Sequence, residues 1–255
     1  GGSGNPSTVT GFGVFQAMRA CALAQWGSNS FQGKTVAIQG FGNVASSLAW
    51  HLLEAGAKLV VTDIFDDARA RAAALPGVEI VEPDAIYDVA ADVFAPCALG
   101  GVLNEETIPR LQTPVVCGAA NNQLRADADA ERLQARGVLW APDYIANAGG
   151  VINVYHEVAG PYDREAAMAQ AARIFDTTAQ VIQRAKEDGT TTLRTADDLA
   201  EHRIATGRGN TSYAARIGLG VGVGFTLIAR LSRIHDAIAT TRGHARGSAS
   251  IGEGV

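Results

Sequence analysis

Short runs of apolar residues alternate along the chain with longer stretches in which apolar residues recur at helical spacing. The runs are bounded by glycine, proline or charged residues and show little polar alternation, which is typical of buried strands. They predict strands at 35–39, 59–62, 78–81, 93–95, 115–117 and 138–140. The stretches between them predict helices at 43–55, 66–75, 105–111 and 126–136. Buried strands joined by helical crossovers indicate the α/β class, with a doubly wound, mostly parallel sheet covered on both faces.

Helical patterns also precede and follow the alternating region. Residues 10–26 have helical spacing, with Thr10 as a candidate N-cap and Gly27 at the end of the pattern. After Gly149 no further strand is predicted, and helices are expected at 151–158, 164–188 and 196–204. We therefore expect one domain over residues 1–206, in which helices flank the sheet and others follow it at the C-terminal end.

Residues 207–255 differ in character from the rest of the chain. They are rich in glycine and arginine and lack the strand and helix alternation, so we expect an atypical C-terminal extension. The apolar stretch 217–231 is shorter than the roughly 20 residues that a membrane-spanning helix needs, and glycines interrupt it. The sequence predicts no membrane partner.

The most informative local motif is Gly40-Phe41-Gly42-Asn43-Val44-Ala45, which follows the predicted strand TVAIQ and opens a predicted helix. In this GxGxxA pattern the first glycine permits a tight turn and the second lets the backbone approach a pyrophosphate. The small Ala45 lets the helix pack closely on the strand. Amides at the helix N-terminus then face an anion. Alternatively, the glycines serve only a tight turn between strand and helix.

An acidic residue stands where such a loop needs one. Asp63 ends the next apolar run, LVVTD, and both Asp63 and the following Ile64 are predicted to contact the cofactor. A carboxylate at this place accepts hydrogen bonds from the adenosine ribose hydroxyls. It would repel a 2'-phosphate by about 4 kcal/mol per charge pair at ~4 Å and an effective dielectric of ~20. No lysine or arginine follows before Arg69, so NAD is the predicted cofactor and NADP is disfavoured.

Composition narrows the classes of partner. The formal net charge is -5, which gives no reason to expect nucleic acid or an anionic membrane, so a small molecule is the expected partner. The cysteines Cys21, Cys97 and Cys117 form no CxxC pair, and the N-terminus has no secretion-signal pattern. We therefore expect the protein to be located in the reducing cytoplasm. The five histidines show no ligand spacing, and no metal site is predicted.

Several segments of the chain contain sequence motifs that a generic nucleotide-binding fold does not require. They are GGSGNPSTVTGFGVF, GFGNVA, ADVFAPCALGGVLNEETI, VVCGAANNQL and APDYIANAGGVINVYHE. In order and spacing they resemble the cofactor half of the glutamate/leucine/phenylalanine/valine dehydrogenase family, over residues 1 to about 206. The resemblance implies a Rossmann-like fold, bound NAD and oxidative deamination of an amino acid, with leucine and valine enzymes as the nearest type.

The resemblance implies roles on the nicotinamide side of the cofactor. Thr10 matches a threonine that hydrogen-bonds near the nicotinamide carboxamide, which is compatible with its capping role. The backbone around Cys97 and Ala98 is similar to a loop that passes over the nicotinamide ribose, and the family uses no catalytic thiol there. Asn121 resembles an asparagine on the nicotinamide side, although asparagine is also an ordinary turn former. Asn147 is similar to an asparagine that faces both substrate and cofactor.

The resemblance also implies a substrate pocket. Val151 and Val154 lie on one helical face and match positions that line the substrate side-chain pocket; the alternative is core packing. Two valines favour leucine and valine over phenylalanine as substrates. Because each methylene is discriminated by only about 1 to 3 kcal/mol, relaxed specificity among branched aliphatic amino acids is expected.

The proton chemistry of oxidative deamination is predicted to lie outside this chain. In the family it falls to lysines, one of them in a glycine-rich motif, and to an aspartate, all in an N-terminal substrate domain. The only lysines here are Lys34, Lys58 and Lys186, and none lies in such a motif. We assign no catalytic residue, expect the chain to be a fragment without activity of its own, and expect a homo-oligomer in the full-length protein.

Two other functional classes remain open from the sequence. The chain could be a cofactor-binding module with no turnover. It could also be another Rossmann oxidoreductase, such as a hydroxy-acid dehydrogenase, which would require a catalytic histidine with a carboxylate partner. His51 falls in a crossover helix and His156 lies beyond the last predicted strand, so neither has the expected setting.

Overall fold

The computed structural model describes residues 5–207 and contains one sheet of six parallel strands within them. The strands are β1 (Thr35–Gln39), β2 (Lys58–Thr62), β3 (Val78–Ile80), β4 (Val93–Pro96), β5 (Val115–Val116) and β6 (Leu139–Trp140). Their order is β3-β2-β1-β4-β5-β6, and every pair is parallel. The predicted strands and the α/β class are confirmed.

The strand order reverses direction between β1 and β4, which places a crevice there. β1 pairs with β2 on one side and with β4 on the other, and Gln39 lies opposite Pro96 at the carboxyl ends of β1 and β4. In doubly wound sheets, ligands bind where the connections from two neighbouring strands leave in opposite directions. The loops after β1 and β4 therefore meet at the position where a dinucleotide is expected.

The helices cover both faces of this sheet. They are α1 (Ser7–Trp26), α2 (Asn43–Glu54), α3 (Asp66–Ala73), α4 (Ala128–Ala135), α5 (Asp143–Ala146), α6 (Gly149–Val158), α7 (Arg164–Ala172), α8 (Ile174–Asp188) and α9 (Thr192–Gly207). Helix α1 packs against α2, α6 and α8, and its residues Val14, Ala17 and Met18 are fully buried. The centre of β1 is also inaccessible to solvent, as parallel strands require.

The start of α1 differs from the prediction. The helix begins at Ser7, so Thr10 is not its N-cap; the prediction was wrong. The side chain of Asn5 accepts a hydrogen bond from the Ser7 amide (3.0 Å), and Pro6 takes the position before the first helical residue. Thr10 lies one turn inside the helix, and its hydroxyl donates to the Pro6 carbonyl (2.9 Å).

Two predicted helices also have different forms. Residues 105–111 contain only a short 3₁₀ turn, Ile108–Arg110, because Asn104 Oδ1 accepts from the amides of Glu106 and Thr107 and stabilises a local turn. The stretch 164–188 is divided into α7 and α8 at Arg173, where ψ is -7°.

The compact unit that carries the sheet extends to Leu199, and of the chain beyond it only residues 200–207, the end of α9, are described. The predicted stretch 217–231 and nearly all of the extension 207–255 lie outside the described residues. The division at residue 206 stays a prediction. Within residues 5–207, no helix combines the length and apolar character needed to cross a membrane.

Candidate cofactor site

The glycine loop after β1 is held tightly against the loop after β4. Gly40 has φ +91°, a conformation that residues with a Cβ rarely adopt, and its amide donates to the Thr62 carbonyl (2.8 Å). A Cβ at Gly40 would lie 2.7 Å from the Cβ of Ala98 and 2.9 Å from its Cα. Glycine is therefore required at position 40 both by the backbone and by the neighbouring loop.

The amino end of α2 is available to an anion. Gly42 occupies the N-cap position and supplies no side-chain acceptor. The first amides of the helix, including those of Asn43 and Val44, therefore have no intrahelical partner. A Cβ at Gly42 would meet nothing within 4 Å, and the next small residue, Ala45, is buried against the sheet. Unpaired amides and the helix dipole together favour a phosphate at this position.

Asp63 connects the end of β2 to the glycine loop. Its Oδ2 accepts from the Phe41 amide (2.6 Å) and its Oδ1 accepts from the Phe65 amide (3.0 Å). Two carboxylate oxygens have about four acceptor positions, so capacity remains for ribose hydroxyls. Ile64 and Phe65 beside it are 70% and 63% exposed, an apolar surface suited to an adenine ring. Ile64 was predicted from the sequence as a cofactor contact, whereas Phe65, the adjacent apolar residue, was not.

Two arginines of α3 reach this region, which the sequence reasoning did not anticipate. Arg69 donates to the Asp63 carbonyl (2.7 Å) and pairs with Asp66. Arg71 pairs with Asp67 (2.7 Å) and lies 3.5 Å from the carbonyl oxygen of the loop residue at position 41. The guanidinium of Arg71 lowers the pKa of Asp67. Three carboxylates against two guanidinium groups leave one net negative charge at the end of β2 and the start of α3.

The loop after β4 carries Cys97 and Ala98 and lies between β1 and the loop after β5. The amide of Cys97 donates to the Gln39 carbonyl (2.8 Å), and the Ala120 amide donates to the Pro96 carbonyl (2.9 Å). Burial raises the pKa of the Cys97 thiol to about 12, although the Ala119 amide opposes the shift. A thiol with that pKa is protonated at neutral pH, so it is a poor nucleophile.

The predicted asparagines are brought into direct contact. Asn147 Nδ2 donates to Asn121 Oδ1 (2.7 Å) and to the Ala119 carbonyl (3.2 Å). Asn121 follows β5 and is exposed, whereas Asn147 ends α5 and is half-buried. The neighbouring Asn122 has φ +52° and is the one non-glycine residue with positive φ in the described part of the chain. Two residues that are 26 positions apart in the sequence thus present their amides together.

Thr10 joins the same region through the start of α6. A Cβ at Gly150 would lie 3.2 Å from Thr10 Oγ1, and a Cβ at Gly149 would overlap the Val9 carbonyl oxygen. The two glycines let α1 and α6 approach closely, which places the threonine near the helix that follows Asn147. Thr10 is 8% exposed.

The two predicted pocket valines lie on α6. Val151 is half-buried and Val154 is 51% exposed, whereas the residues between them, Ile152 and Asn153, are buried. Core packing therefore does not account for Val154. Val158, one turn further along, is 82% exposed and extends the apolar face.

No lysine lies at the carboxyl edge of the sheet in the described chain. Lys34 precedes β1 at the opposite edge, pairs with Asp92 (2.9 Å) and lies 4.0 Å from the centre of the Trp26 ring. Lys58 begins β2 at that same opposite edge, and Lys186 lies in the last turn of α8.

Neither histidine considered from the sequence has a setting suited to proton transfer at the crevice. His51 lies about 12 Å along α2 from its first residue and stacks on Phe15, with ring centres 5.6 Å apart. Its nearest carboxylate, Glu54, is 4.0 Å away. Burial lowers the pKa of His51, and Glu54 opposes that shift. His156 is 2.7 Å from Gln170 Oε1.

Comparison with known proteins gives consistent matches. The sequence profile described as glutamate/leucine/phenylalanine/valine dehydrogenase matches residues 1–66 and 61–211. A leucine dehydrogenase from Bacillus cereus is 48% identical over 218 residues, which cover 86% of this chain and 59% of that protein. A leucine dehydrogenase from Thermoactinomyces intermedius is 50% identical over 204 residues, 80% of this chain and 56% of that protein.

A solved structure agrees with these matches. The crystal structure of L-tryptophan dehydrogenase from Nostoc punctiforme superposes with a TM-score of 0.78 at 44% identity, over 82% of this chain and 63% of that one. The chain spans less than two thirds of the length of these relatives.

Proposed function

Because the chain belongs to the glutamate/leucine/phenylalanine/valine dehydrogenase family, we propose that it is the NAD-binding part of an amino-acid dehydrogenase. The reaction proposed for the full-length protein is the oxidative deamination of branched-chain L-amino acids, leucine and valine, to 2-oxo acids. The observation that carries the proposal is the meeting of the glycine loop, the Asp63 carboxylate and the Asn121–Asn147 pair along one edge of the sheet. NAD, when bound, would accept a hydride from the substrate.

The proposed site has an adenosine side and a nicotinamide side. On the adenosine side, the loop amides hold the diphosphate and Asp63 accepts from the ribose, with Ile64 against the adenine. The loop residues are Gly40, Phe41, Gly42, Asn43, Val44 and Ala45. The nicotinamide side consists of Thr10, Cys97, Ala98, Asn121 and Asn147. The last of these also faces the substrate, together with Val151 and Val154.

The charge distribution supports NAD over NADP. In the proposed site the Asp63 carboxylate would face a 2'-phosphate, and the two arginines nearby are already paired with Asp66 and Asp67. Two like charges ~4 Å apart repel by about 4 kcal/mol at an effective dielectric of ~20. The local net charge stays negative, so a 2'-phosphate on the adenosine ribose is disfavoured.

The second candidate is a binding module that has no turnover of its own. It is supported by the positions of the lysines, since each one lies away from the crevice. Deamination needs a base and a cation for the substrate carboxylate, roles that fall to lysines in the family, and none of the three lysines lies at the carboxyl edge of the sheet. We propose that the chain by itself binds NAD without oxidising amino acids.

One pair of measurements tests both candidates. Calorimetric titration of the 255-residue chain with NAD and NADP tests binding, with the expectation that NAD binds and NADP binds much more weakly. Incubation with leucine, valine, tryptophan or phenylalanine and NAD, followed at the absorbance of NADH, tests turnover. NADH production by the chain alone would refute the binding-module proposal. Absence of NAD binding would refute both.

The proposal extends to the assembly and cellular surroundings of the full-length protein. We propose a cytoplasmic homo-oligomer with no nucleic-acid or membrane partner. Support comes from the net charge of -5 and from three cysteines that are all free thiols, of which Cys21 and Cys117 are buried. Light scattering on the full-length protein tests the assembly, and a monomer would contradict it.

A further inference from the structure

Gln123 is a polar side chain that the proposed mechanism does not use, yet it is completely buried. It lies in the loop after β5, two residues beyond Asn121. A buried amide lowers stability unless its donors and acceptors are all paired. The partners of this amide therefore show what the residue holds in place.

The amide nitrogen of Gln123 closes the loop on which Asn121 stands. Its Nε2 donates to the carbonyls of Gly118 and Ala120, both at 3.0 Å. Between these two residues lies Ala119, whose carbonyl accepts from Asn147 Nδ2 (3.2 Å). The side chain thus fixes the carbonyls on either side of the one that the second asparagine uses.

The side-chain oxygen and the backbone amide of Gln123 connect it to β6 and α5. Its Oε1 accepts from the indole nitrogen of Trp140 (3.0 Å), and its backbone amide donates to Asp143 Oδ2 (2.8 Å). Trp140 and Asp143 are 3% and 7% exposed. Asp143 also begins the short helix α5, and its carbonyl accepts from the Asn147 amide (2.8 Å).

The same residue is tied to the loop after β4. The carbonyl of Gln123 accepts from the Leu103 amide (2.9 Å), and the carbonyl of Asn122 accepts from the Gly101 amide (2.7 Å). A Cβ at Gly100 would lie 2.7 Å from the Asn121 carbonyl oxygen. One fully paired residue therefore joins the loops after β4 and β5 and the helix that ends at Asn147.

We propose that Gln123 is a positioning residue for the nicotinamide side of the site, acting through Asn121 and Asn147. This inference rests on the proposed function, because it assigns the two asparagines to the nicotinamide. The adenosine side shares none of these hydrogen bonds; its loop is held by Asp63 and Thr62. Loss of the buried amide should therefore weaken binding of the nicotinamide half and leave binding of the adenosine half intact.

The test compares two ligands on the 255-residue chain. NADH carries the nicotinamide ring, whereas ADP-ribose has the adenosine, the diphosphate and the second ribose but no nicotinamide. Gln123→Met keeps the length of the side chain and removes its hydrogen bonds. We expect NADH, measured by its fluorescence, to bind about tenfold more weakly, since a small displacement of positioning groups has effects of this size or larger. We expect ADP-ribose affinity by calorimetry to change less than about twofold, because the bonds that hold its site are intact.

Two further variants complete the design. Gln134→Met makes the same change in α4, where the exposed side chain donates to the Thr190 carbonyl, and should alter neither affinity. Trp140→Phe removes the indole donor to Gln123 Oε1 and should weaken NADH binding by a smaller factor, again without affecting ADP-ribose. If Gln123→Met does not fold, Trp140→Phe still tests the positioning role of Gln123.

The outcomes are distinguishable from those of the proposed function. Selective loss of NADH affinity in Gln123→Met or Trp140→Phe supports the positioning role. Unchanged NADH affinity, or equal loss for NADH and ADP-ribose, would overturn it, because a merely structural role affects both halves. If the unmodified chain bound neither ligand, the proposed function itself would fail.

Discussion

The adenosine side and the nicotinamide side of the candidate site are built in different ways. The adenosine side comes from one continuous βαβ unit, residues 35–65, and consists of backbone amides and the single carboxylate of Asp63. The nicotinamide side is assembled from α1, the loops after β4 and β5, and the α5–α6 junction. It presents side chains, above all Asn121 and Asn147, that come from separate parts of the chain.

This difference shows how precision is obtained on each side. Backbone amides at the start of α2 are oriented by the helix itself, so a tight turn is enough to place them. Side-chain amides on loops have no such support. The loop that carries Asn121 is held instead by buried hydrogen bonds that link Gln123 to Gly118, Trp140 and Asp143. We expect changes on the first side to affect all dinucleotide binding and changes on the second to affect only the nicotinamide half.

The largest effect is expected at Gly40, where the glycine loop contacts the loop after β4. Gly40→Ala introduces a Cβ against Ala98 at a φ of +91°. We expect it to destabilise the fold by about 2 to 4 kcal/mol, from left-handed strain and overpacking together. NADH affinity should fall on the order of a hundredfold, since both loops move. Thermal unfolding and fluorescence titration measure the two effects.

Gly137→Ala is the matched control for that variant. Gly137 also has positive φ, +69°, but a Cβ there would meet nothing within 4 Å. It should lose only about 1 to 2 kcal/mol of stability and keep normal NADH binding. If the two variants behaved alike, close contact between the loops would not be what Gly40 provides.

The next effect concerns the adenosine side alone. Asp63→Ala removes the acceptor for the Phe41 amide and for the ribose hydroxyls. Affinity should fall by about 1 to 3 kcal/mol, the range for a lost charged hydrogen bond, and equally for NADH and ADP-ribose. The preference for NAD over NADP should narrow because the repulsion of a 2'-phosphate is reduced.

Calorimetry with the three ligands checks these expectations for Asp63. Asp84→Ala, which removes an exposed carboxylate paired with Arg110, is the control and should bind normally. Retention of ADP-ribose affinity in Asp63→Ala would remove the ribose assignment.

A smaller effect is expected on the nicotinamide side at Thr10. Thr10→Val keeps the shape of the side chain and removes the hydroxyl that donates to Pro6 and faces Gly150. NADH affinity should fall by about 0.5 to 1.5 kcal/mol, as for one neutral hydrogen bond, while ADP-ribose affinity stays the same. Thr8→Val, on the exposed part of α1, should change neither. Equal effects on the two ligands would place Thr10 outside the nicotinamide side.

The smallest effect concerns the contact between α1 and α2, which joins the two sides. Burial lowers the pKa of His51 in the folded chain relative to its ordinary value of 6.5. The folded state therefore favours the neutral ring. The resulting stability is present above pH 6.5 and is lost as the pH falls through the lowered value. We expect His51→Gln to lose less stability between pH 7.5 and pH 5.5 than the unmodified chain.

Glu54→Gln sharpens the test on His51. Glu54 raises the pKa of the ring, so removing its charge should enlarge the loss of stability on acidification. Denaturant unfolding at the two pH values measures the difference. An identical pH dependence in all three proteins would contradict the role of His51.

Several features could be predicted from the sequence because they depend on neighbouring residues. The strand positions followed from short apolar runs, and the glycine loop and Asp63 followed from motif and spacing. Helix ends and irregular segments were less predictable. The N-cap at Thr10 and the helix at 105–111 were wrong, because the side chains of Asn5 and Asn104 form local hydrogen bonds that helical spacing does not reveal.

By itself, the order of amino acids determined the layered α/β architecture and the adenosine side, since local periodicity and turn chemistry act within a few residues. Only the tertiary structure decided that Asn121 contacts Asn147, that Arg69 and Arg71 reach the segment around Asp63, and that Gln123 joins two loops. The reason is physical. Contacts between distant segments depend on strand register and on how closely helices pack, and these are set by the whole buried core rather than by any one stretch of the chain.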